Sequence, residues 1–351
     1  MFLLRFPHSS TSRWLKTSAL LGVFLLFISC KSHETLGTPE LGQNSISSLE
    51  RVQIGGVNQW ILMRGDDRAK PVLLILHGGP GAASIGFART FYSDLEKNYV
   101  VVNWDQRGAG KSFALSMGDV SPETYVSDTL EVITFLKIKF KVPKIYLMGH
   151  SWGGYIGAIA AHKHPENLHA FIAIGPVISG EESAKLSFAY IQQQASKDAE
   201  LKKEAESLTL DSYLQNRRKW LNAFAAGMFH GAHSKDEDSY LRGIMSDSPD
   251  YSLMDMITYL PGIWRTSSRI RPYFFKMNLF EEASSIDVPV FLLSGRFDYY
   301  NPVEILERYA TTLKSPSTKV ILFDNLAHAP HFESPAEFAE SLHAALSASG
   351  H

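Results

Sequence analysis

Strand-like and helix-like segments alternate through most of this chain. That alternation predicts an α/β fold, a mostly parallel sheet flanked by helices, with an inserted helical cap. Three observations carry the expectation. Nearly continuous apolar runs, at residues 72–76 and 99–104, suit strands buried on both faces of a parallel sheet. Helical periodicity fills the stretches between such runs. The alternation then stops near residue 180 and resumes near 287, leaving about a hundred residues of helical pattern between. The 351 residues suit one large domain or a core with an insertion, and 45% apolar content can bury a sizeable core.

The elements follow in order. Residues 1–30 combine a basic start (Arg5, Arg13, Lys16) with the apolar stretch 19–28, the pattern of an export signal, too short to span a bilayer comfortably. The ending Phe27-Ile28-Ser29-Cys30 resembles a bacterial lipoprotein box, although Phe27 departs from the usual leucine. Cys30 would then be acylated, making the chain an exported, membrane-anchored lipoprotein of the bacterial cell envelope, on its periplasmic or surface side. Ordinary signal cleavage or an uncleaved anchor are the alternatives. As Cys30 is the sole cysteine, no internal disulfide can form. Residues 31–48, polar and rich in Ser, Thr, Gly and Pro, read as a flexible tether.

The core is expected over 49–179 and 287–351. It opens with a hairpin around Gly55-Gly56, then the runs 72–76 and 99–104 with a helix over 85–97 between them. Pro122 opens a helix through 140, whose apolar face is Val126, Leu130, Val132, Ile133 and Leu136. Strands follow at 144–148, 170–174, 288–293 and 319–323, and a last helix at 335–346. The cap spans 180–286, with helices expected at 198–208, 214–228 and 251–257. A net charge of -2 and no basic stripe interleaved with aromatics give no case for nucleic acid as a partner.

The chemistry centres on Gly149-His150-Ser151-Trp152-Gly153, a G-x-S-x-G sequence between a strand and a small-residue helix. That context defines a nucleophile elbow, in which a sharp turn exposes the serine and excludes side chains two residues either side. A serine hydroxyl needs a base to take its proton, and the base needs a carboxylate to orient it. In this architecture the acid and then the histidine follow on loops after later strands. Asp298, after the strand ending at 294, is the candidate acid. His328, after the strand ending at 323, is the candidate base. His331 competes, but it stands farther from the strand and is expected to open the next helix. His150 is expected to be structural.

An oxyanion hole needs two aimed backbone N–H groups. Trp152, following the serine, and Gly79, in the glycine-rich loop His77-Gly78-Gly79-Pro80-Gly81, are the candidates. His230 and His233 have metal-like spacing but no accompanying carboxylate, so no metal and no cofactor are expected.

Three motifs in order, His77-Gly78-Gly79-Pro80-Gly81, then Asp105-Gln106-Arg107-Gly108-Ala109-Gly110-Lys111-Ser112, then Gly149-His150-Ser151-Trp152-Gly153-Gly154, resemble the proline iminopeptidase branch of the α/β-hydrolase superfamily. The resemblance covers about residues 50 to 345, the cap matching only in placement and helicity. It implies a serine hydrolase that releases an N-terminal residue, often proline, from short peptides or related amides. The 105–112 segment would then be a framework loop beside the site. Iminopeptidases hold the substrate's free amine with acidic residues of the cap, because a buried ammonium needs a partner. Glu181, Glu182 and Glu237 are the candidates here, with Asp236 and Asp238 beside the last, although solvated surface carboxylates would explain all five. The cap aromatics, including Trp220, Tyr259 and Trp264, are expected mainly as cap core.

Two rival functions stand beside this reading. A carboxylesterase or other acyl hydrolase would use the same triad on a small acyl substrate. A ligand-binding lipoprotein would use the pocket without catalysis. An aspartate at the elbow, as dehalogenase or epoxide-hydrolase chemistry needs, is absent because Ser151 occupies that place.

Overall fold

A computed structural model describes residues 44–197 and 199–348. The signal-like segment, Cys30 and most of the tether lie outside the described residues. Order begins earlier than the composition suggested: β1 runs Ile46–Ile54, inside the stretch read as tether. Its first residue is already buried, because β1 pairs along its whole length with β2 (Val57–Gly65), opposing Ile46 to Gly65.

The sheet continues with β3 (Val72–Leu76), β4 (Val100–Asp105), β5 (Ile145–His150), β6 (Leu168–Ile174), β7 (Val290–Gly295) and β8 (Thr318–Phe323). Their spatial order is β1-β2-β4-β3-β5-β6-β7-β8, antiparallel only across the β1–β2 and β2–β4 pairs. All residues of β3, β4, β5 and β7 are buried. Their alternate side chains feed two cores: Leu74, Val102 and Leu147 on one face, Leu73, Val101 and Met148 on the other.

Helix α1 (Pro122–Phe140) starts where the sequence placed it, since the Ser121 hydroxyl accepts the Thr124 N–H at 3.2 Å. Helix α2 (Trp152–Lys163) follows the elbow and packs between β5 and β6. The single helix expected over 85–97 is instead a 3₁₀ turn, one α turn (Ala88–Phe91) and a second 3₁₀ turn. The Asp105 carboxylate holds the N–H groups of Ser84 and Ile85, and Phe87, Phe91 and Tyr92 are all buried, so the backbone follows packing rather than propensity.

The inserted segment forms α3 (Gly180–Ala195), α4 (Ala199–Glu206), α5 (Leu210–Gln215), α6 (Arg217–Ala223), α7 (Glu237–Asp247) and α8 (Leu253–Ile270). Ile191, Tyr213, Trp220 and Leu221 form its own small core. The helix expected over 214–228 breaks at Asn216 and ends at Ala223. Beyond it the chain turns through Ala225 (φ 47°), and the Gly227 and Met228 carbonyls accept the N–H groups of His328 and Ala329. Those tertiary bonds override the helical pattern. The sheet resumes with β7, then α9 (Val303–Thr312), β8 and α10 (Pro335–Ser347).

Candidate active site

Ser151 sits between β5 and α2 with φ 54° and ψ -114°, a backbone conformation that side-chain-bearing residues rarely adopt. Packing imposes it. A Cβ at Gly149 would lie 2.2 Å from the Gly153 carbonyl oxygen, and one at Gly153 would lie 2.1 Å from that of Leu76. Only hydrogen fits at either place, so the two glycines of the motif are steric requirements of the turn. The Ser151 N–H donates to the Ile174 carbonyl at 2.8 Å, fixing the elbow to the end of β6.

The acid and base loops are brought together by backbone. Gly295 and Phe297 donate to the carbonyls of Ala327 and Leu326 at 3.1 and 3.0 Å. A side chain at Gly295 would lie 2.1 Å from the Leu326 carbonyl oxygen, so the loops can meet only there without one. Asp298 and His328 thereby pair at 2.9 Å, Oδ2 to Nδ1, and both are buried. Asp298 also accepts the Ser294 hydroxyl at 3.0 Å and the Asn301 N–H at 2.8 Å. An ionised carboxylate only accepts, so Nδ1 of His328 carries the proton and Nε2 presents its lone pair. His328 and Ser151 line the same cavity.

His331 has the opposite surroundings. It lies in the short helix Pro330–Glu333, fully buried between Tyr92, His150 and Phe338, and neither ring nitrogen has a partner. Burial lowers its pKa to about 3, so it is held neutral. His150 donates from Nε2 to the His328 carbonyl at 3.1 Å; burial and the adjoining His331 and His328 rings lower its pKa well below the usual imidazole value.

The two candidate oxyanion donors lie on either side of Ser151's surroundings, one on the 77–79 loop and one next to the serine in sequence. Gly79 lines the cavity, and Trp152 is the first residue of α2, whose leading N–H groups have no partner within the helix. Gln106 joins the two supporting segments: its amide donates to the His77 carbonyl at 3.0 Å and accepts from the Trp152 indole at 3.2 Å. His77 accepts the Gln106 N–H on Nε2, and burial lowers its pKa to about 4. The 105–112 segment is thus a buried scaffold. Asp105 accepts four donors, from Ser84, Ile85, Lys111 and Tyr251, and Arg107 makes a bidentate pair with Asp128 at 2.7 and 2.9 Å.

The cavity measures about 550 Å³. Its core side holds Ser151, His328 and the 77–79 loop; its cap side is mostly apolar, with Met228, Leu241, Met245, Met256, Tyr259 and Ile263. Polar groups cluster at one place, where Arg218, Glu237, Asp238 and Arg242 line the wall. Glu237 is buried on α7, and its Oε1 pairs with Arg218, which also holds Asp238. Its Oε2 is fully buried and makes no hydrogen bond of normal geometry, and burial raises its pKa from the ordinary carboxylate value against the pull of Arg218 and the nearby Asn222 amide.

The other acidic candidates fall elsewhere. Glu181 and Glu182 do not line the cavity: they open α3, where Glu181 pairs with Lys185 at 2.5 Å and Glu182 with Arg308, in solvent-exposed pairs. A helix start favours acidic side chains for its dipole alone, which accounts for this pair as solvated surface carboxylates. Asp236 faces His233 at 3.2 Å. Among the described residues no group of three or more His, Cys, Asp or Glu is placed to hold a metal.

Sequence reasoning left two residues without a role. Glu333 accepts the Ala327 N–H at 2.6 Å and those of His230 and Gly231 at 2.7 and 2.9 Å, tying the His328 loop to the cap. Arg218, which sets the charge beside Glu237, belongs to no motif. Tyr259 does line the cavity, Trp220 is cap core, and Trp264 is 72% exposed rather than packed.

A strained serine on an elbow, a buried carboxylate–imidazole pair and a covering helical segment define the class, and comparison with known proteins agrees. The chain belongs to the alpha/beta hydrolase fold family, whose pattern it matches over residues 71–335, and it is a hydrolase. It is similar to a probable aminopeptidase, YbaC, of Bacillus subtilis, with 28% identity over 86% of this chain and 96% of that one. It is also similar to the proline iminopeptidase of Lactobacillus helveticus, at 24% identity over 82% of this chain and 93% of that protein. In fold it resembles the crystal structure of proline iminopeptidase from Mycobacterium smegmatis, with a TM-score of 0.62, 21% identity and coverage of 85% and 97%.

Proposed function

We propose that this chain is a serine aminopeptidase that removes the N-terminal residue, prolyl-type above all, from short peptides through Ser151, Asp298 and His328. The observation that carries the reading is the 2.9 Å Asp298–His328 pair, sharing a cavity with a serine held at positive φ and a buried cap carboxylate. Nε2 of His328 takes the Ser151 proton as the hydroxyl oxygen attacks the substrate carbonyl carbon. The N–H groups of Gly79 and Trp152 receive the negative oxygen of the tetrahedral intermediate. The imidazolium, stabilised by Asp298, then returns its proton to the departing amine. Water, deprotonated by the same nitrogen, hydrolyses the acyl-enzyme and frees Ser151. Of the three acidic candidates only Glu237 lines the cavity, and its carboxylate would take the substrate's ammonium, with Asp238 adding negative charge beside it. The basic and apolar N-terminal segment supports export and attachment to a membrane through an acylated Cys30.

A second reading, a carboxylesterase, draws on the apolar cap wall, which suits an uncharged acyl chain. A panel of prolyl and other aminoacyl arylamides, their N-acetylated forms and short-chain aryl esters separates the two. The peptidase reading expects free-amine arylamides to be cleaved and N-acetylated ones to be poor. Rapid ester turnover without amide cleavage would replace it by the esterase.

A further inference from the structure

The outer side of α8 carries an apolar stripe that none of the described residues covers. Leu253, Ile257, Leu260 and Trp264 recur at i, i+4, i+7 and i+11, one face of a helix, and are 71%, 58%, 68% and 72% exposed. Leu115, whose carbonyl accepts from Arg265 at 2.7 Å, adds an 85% exposed leucine alongside. A contiguous apolar patch of this kind marks an interaction surface. The inner side of the same helix lines the cavity through Met256, Tyr259 and Ile263, and Leu260 of the stripe reaches the cavity rim.

The charge around the stripe selects the partner. Between residues 253 and 276 stand four cations, Arg265, Arg269, Arg271 and Lys276, against one carboxylate, Asp255. Asp255 is already engaged by Lys111 at 2.9 Å and by the Ser252 hydroxyl and N–H. Among the described residues Arg269, Arg271 and Lys276 have no ion-pair partner. An exposed tryptophan and aliphatic stripe beside unpaired cations is the composition that seats a helix in the headgroup region of an anionic bilayer. None of the described helices is long and apolar enough to cross a membrane, so α8 would lie along the surface.

We infer that α8 is a membrane-docking face: its Leu253–Trp264 stripe enters the interface of an anionic lipid bilayer while Arg269, Arg271 and Lys276 meet the headgroups. This contact is separate from any lipid on Cys30 and from the reaction at Ser151. It orients the molecule with the outer side of a cavity wall against the lipid.

The test uses the full chain carrying Cys30→Ser, which removes its sole cysteine and any acyl group on it. Ile257→Cys, Trp264→Cys and, on α1, Ile138→Cys at a site 74% exposed, each take one environment-sensitive fluorophore. With vesicles of phosphatidylcholine and phosphatidylglycerol, the labels at 257 and 264 should shift blue and be quenched by bilayer-embedded nitroxides; the label at 138 should not. Each surface cation near an anionic leaflet strengthens binding about fivefold, so Arg269→Gln, Arg271→Gln and Lys276→Gln together should weaken vesicle partition on the order of 100-fold. Hydrolysis of a soluble substrate should be unchanged in that triple variant. Labels that ignore vesicles overturn the inference. So does shielding without lipid, which means the N-terminal residues cover α8, or shielding that grows with protein concentration, which means a second copy does.

Discussion

The two walls of the cavity are built on different principles. On the core side every group proposed to act in catalysis hangs from the end of a strand: Ser151 after β5, Asp298 after β7, His328 after β8, Gly79 after β3. Backbone contacts hold them, through the elbow glycines and the Gly295–Ala327 and Phe297–Leu326 bonds. On the cap side the groups are side chains of helices, Glu237 and Met245 from α7, Met256 and Ile263 from α8, whose positions depend on how those helices pack. In the proposed reaction the chemistry would therefore be set by topology and the selectivity by tertiary packing. Changes to the core wall should abolish turnover, whereas changes to the cap wall should redirect it.

The largest effect is expected from Ser151→Ala, which should lower kcat by about 10⁴-fold or more with the fold intact, read from steady-state rates at high enzyme concentration alongside circular dichroism. Asp298→Asn should follow closely. Its amide cannot hold His328 with the proton on Nδ1, so kcat should fall by about 10⁴-fold while KM stays within a few-fold. A cap-wall variant should behave differently. Glu237→Gln keeps the shape and removes the charge, so KM for a free-amine arylamide should rise about 10- to 100-fold with N-acetyl and ester substrates little affected. Equal losses on all three substrates would place Glu237 outside amine recognition.

The smallest effect concerns stability. His331 is held neutral, with its pKa lowered to about 3 from an ordinary value near 6.5. The unfolded chain therefore takes up a proton that the folded chain refuses. The stability tied to this group is complete above pH 6.5 and is lost as pH falls toward 3, at about 1.4 kcal/mol per pH unit. His77, lowered to about 4, adds the same dependence over a narrower window. His331→Leu should thus flatten the rise of urea midpoint with pH between 4 and 6 by about one proton's worth of linkage. An unchanged slope would mean His331 is protonated in the folded protein.

Legibility in the sequence divides along the same line. Ser151, Asp298 and His328 could be named from chain order alone, because each loop follows an unmistakable apolar strand. The choice of His328 over His331 rested on distance from the strand end, and the structure pairs His328 with Asp298 while leaving His331 without a polar partner. Glu181, Glu182 and Glu237 looked alike as acidic residues of the cap; only the packing of α3 against α9-side Arg308, and of α7 over the cavity, separates them. The 85–97 and 214–228 segments had helical periodicity and lost it to Asp105 and to the His328 loop, partners far away in sequence. Exposed Trp264 was unreadable for the same reason, since an apolar stripe in sequence is the same whether it meets a core or a surface.

The central claim, that Ser151 is a nucleophile activated by the Asp298–His328 pair, is tested most directly by covalent capture. A fluorophosphonate should phosphonylate one site, mapped by mass spectrometry to Ser151, with hydrolysis lost in proportion to labelling and with His328→Asn labelling at least about 100-fold more slowly. Stoichiometric modification at another residue, or hydrolysis that persists with Ser151 fully modified, would contradict it.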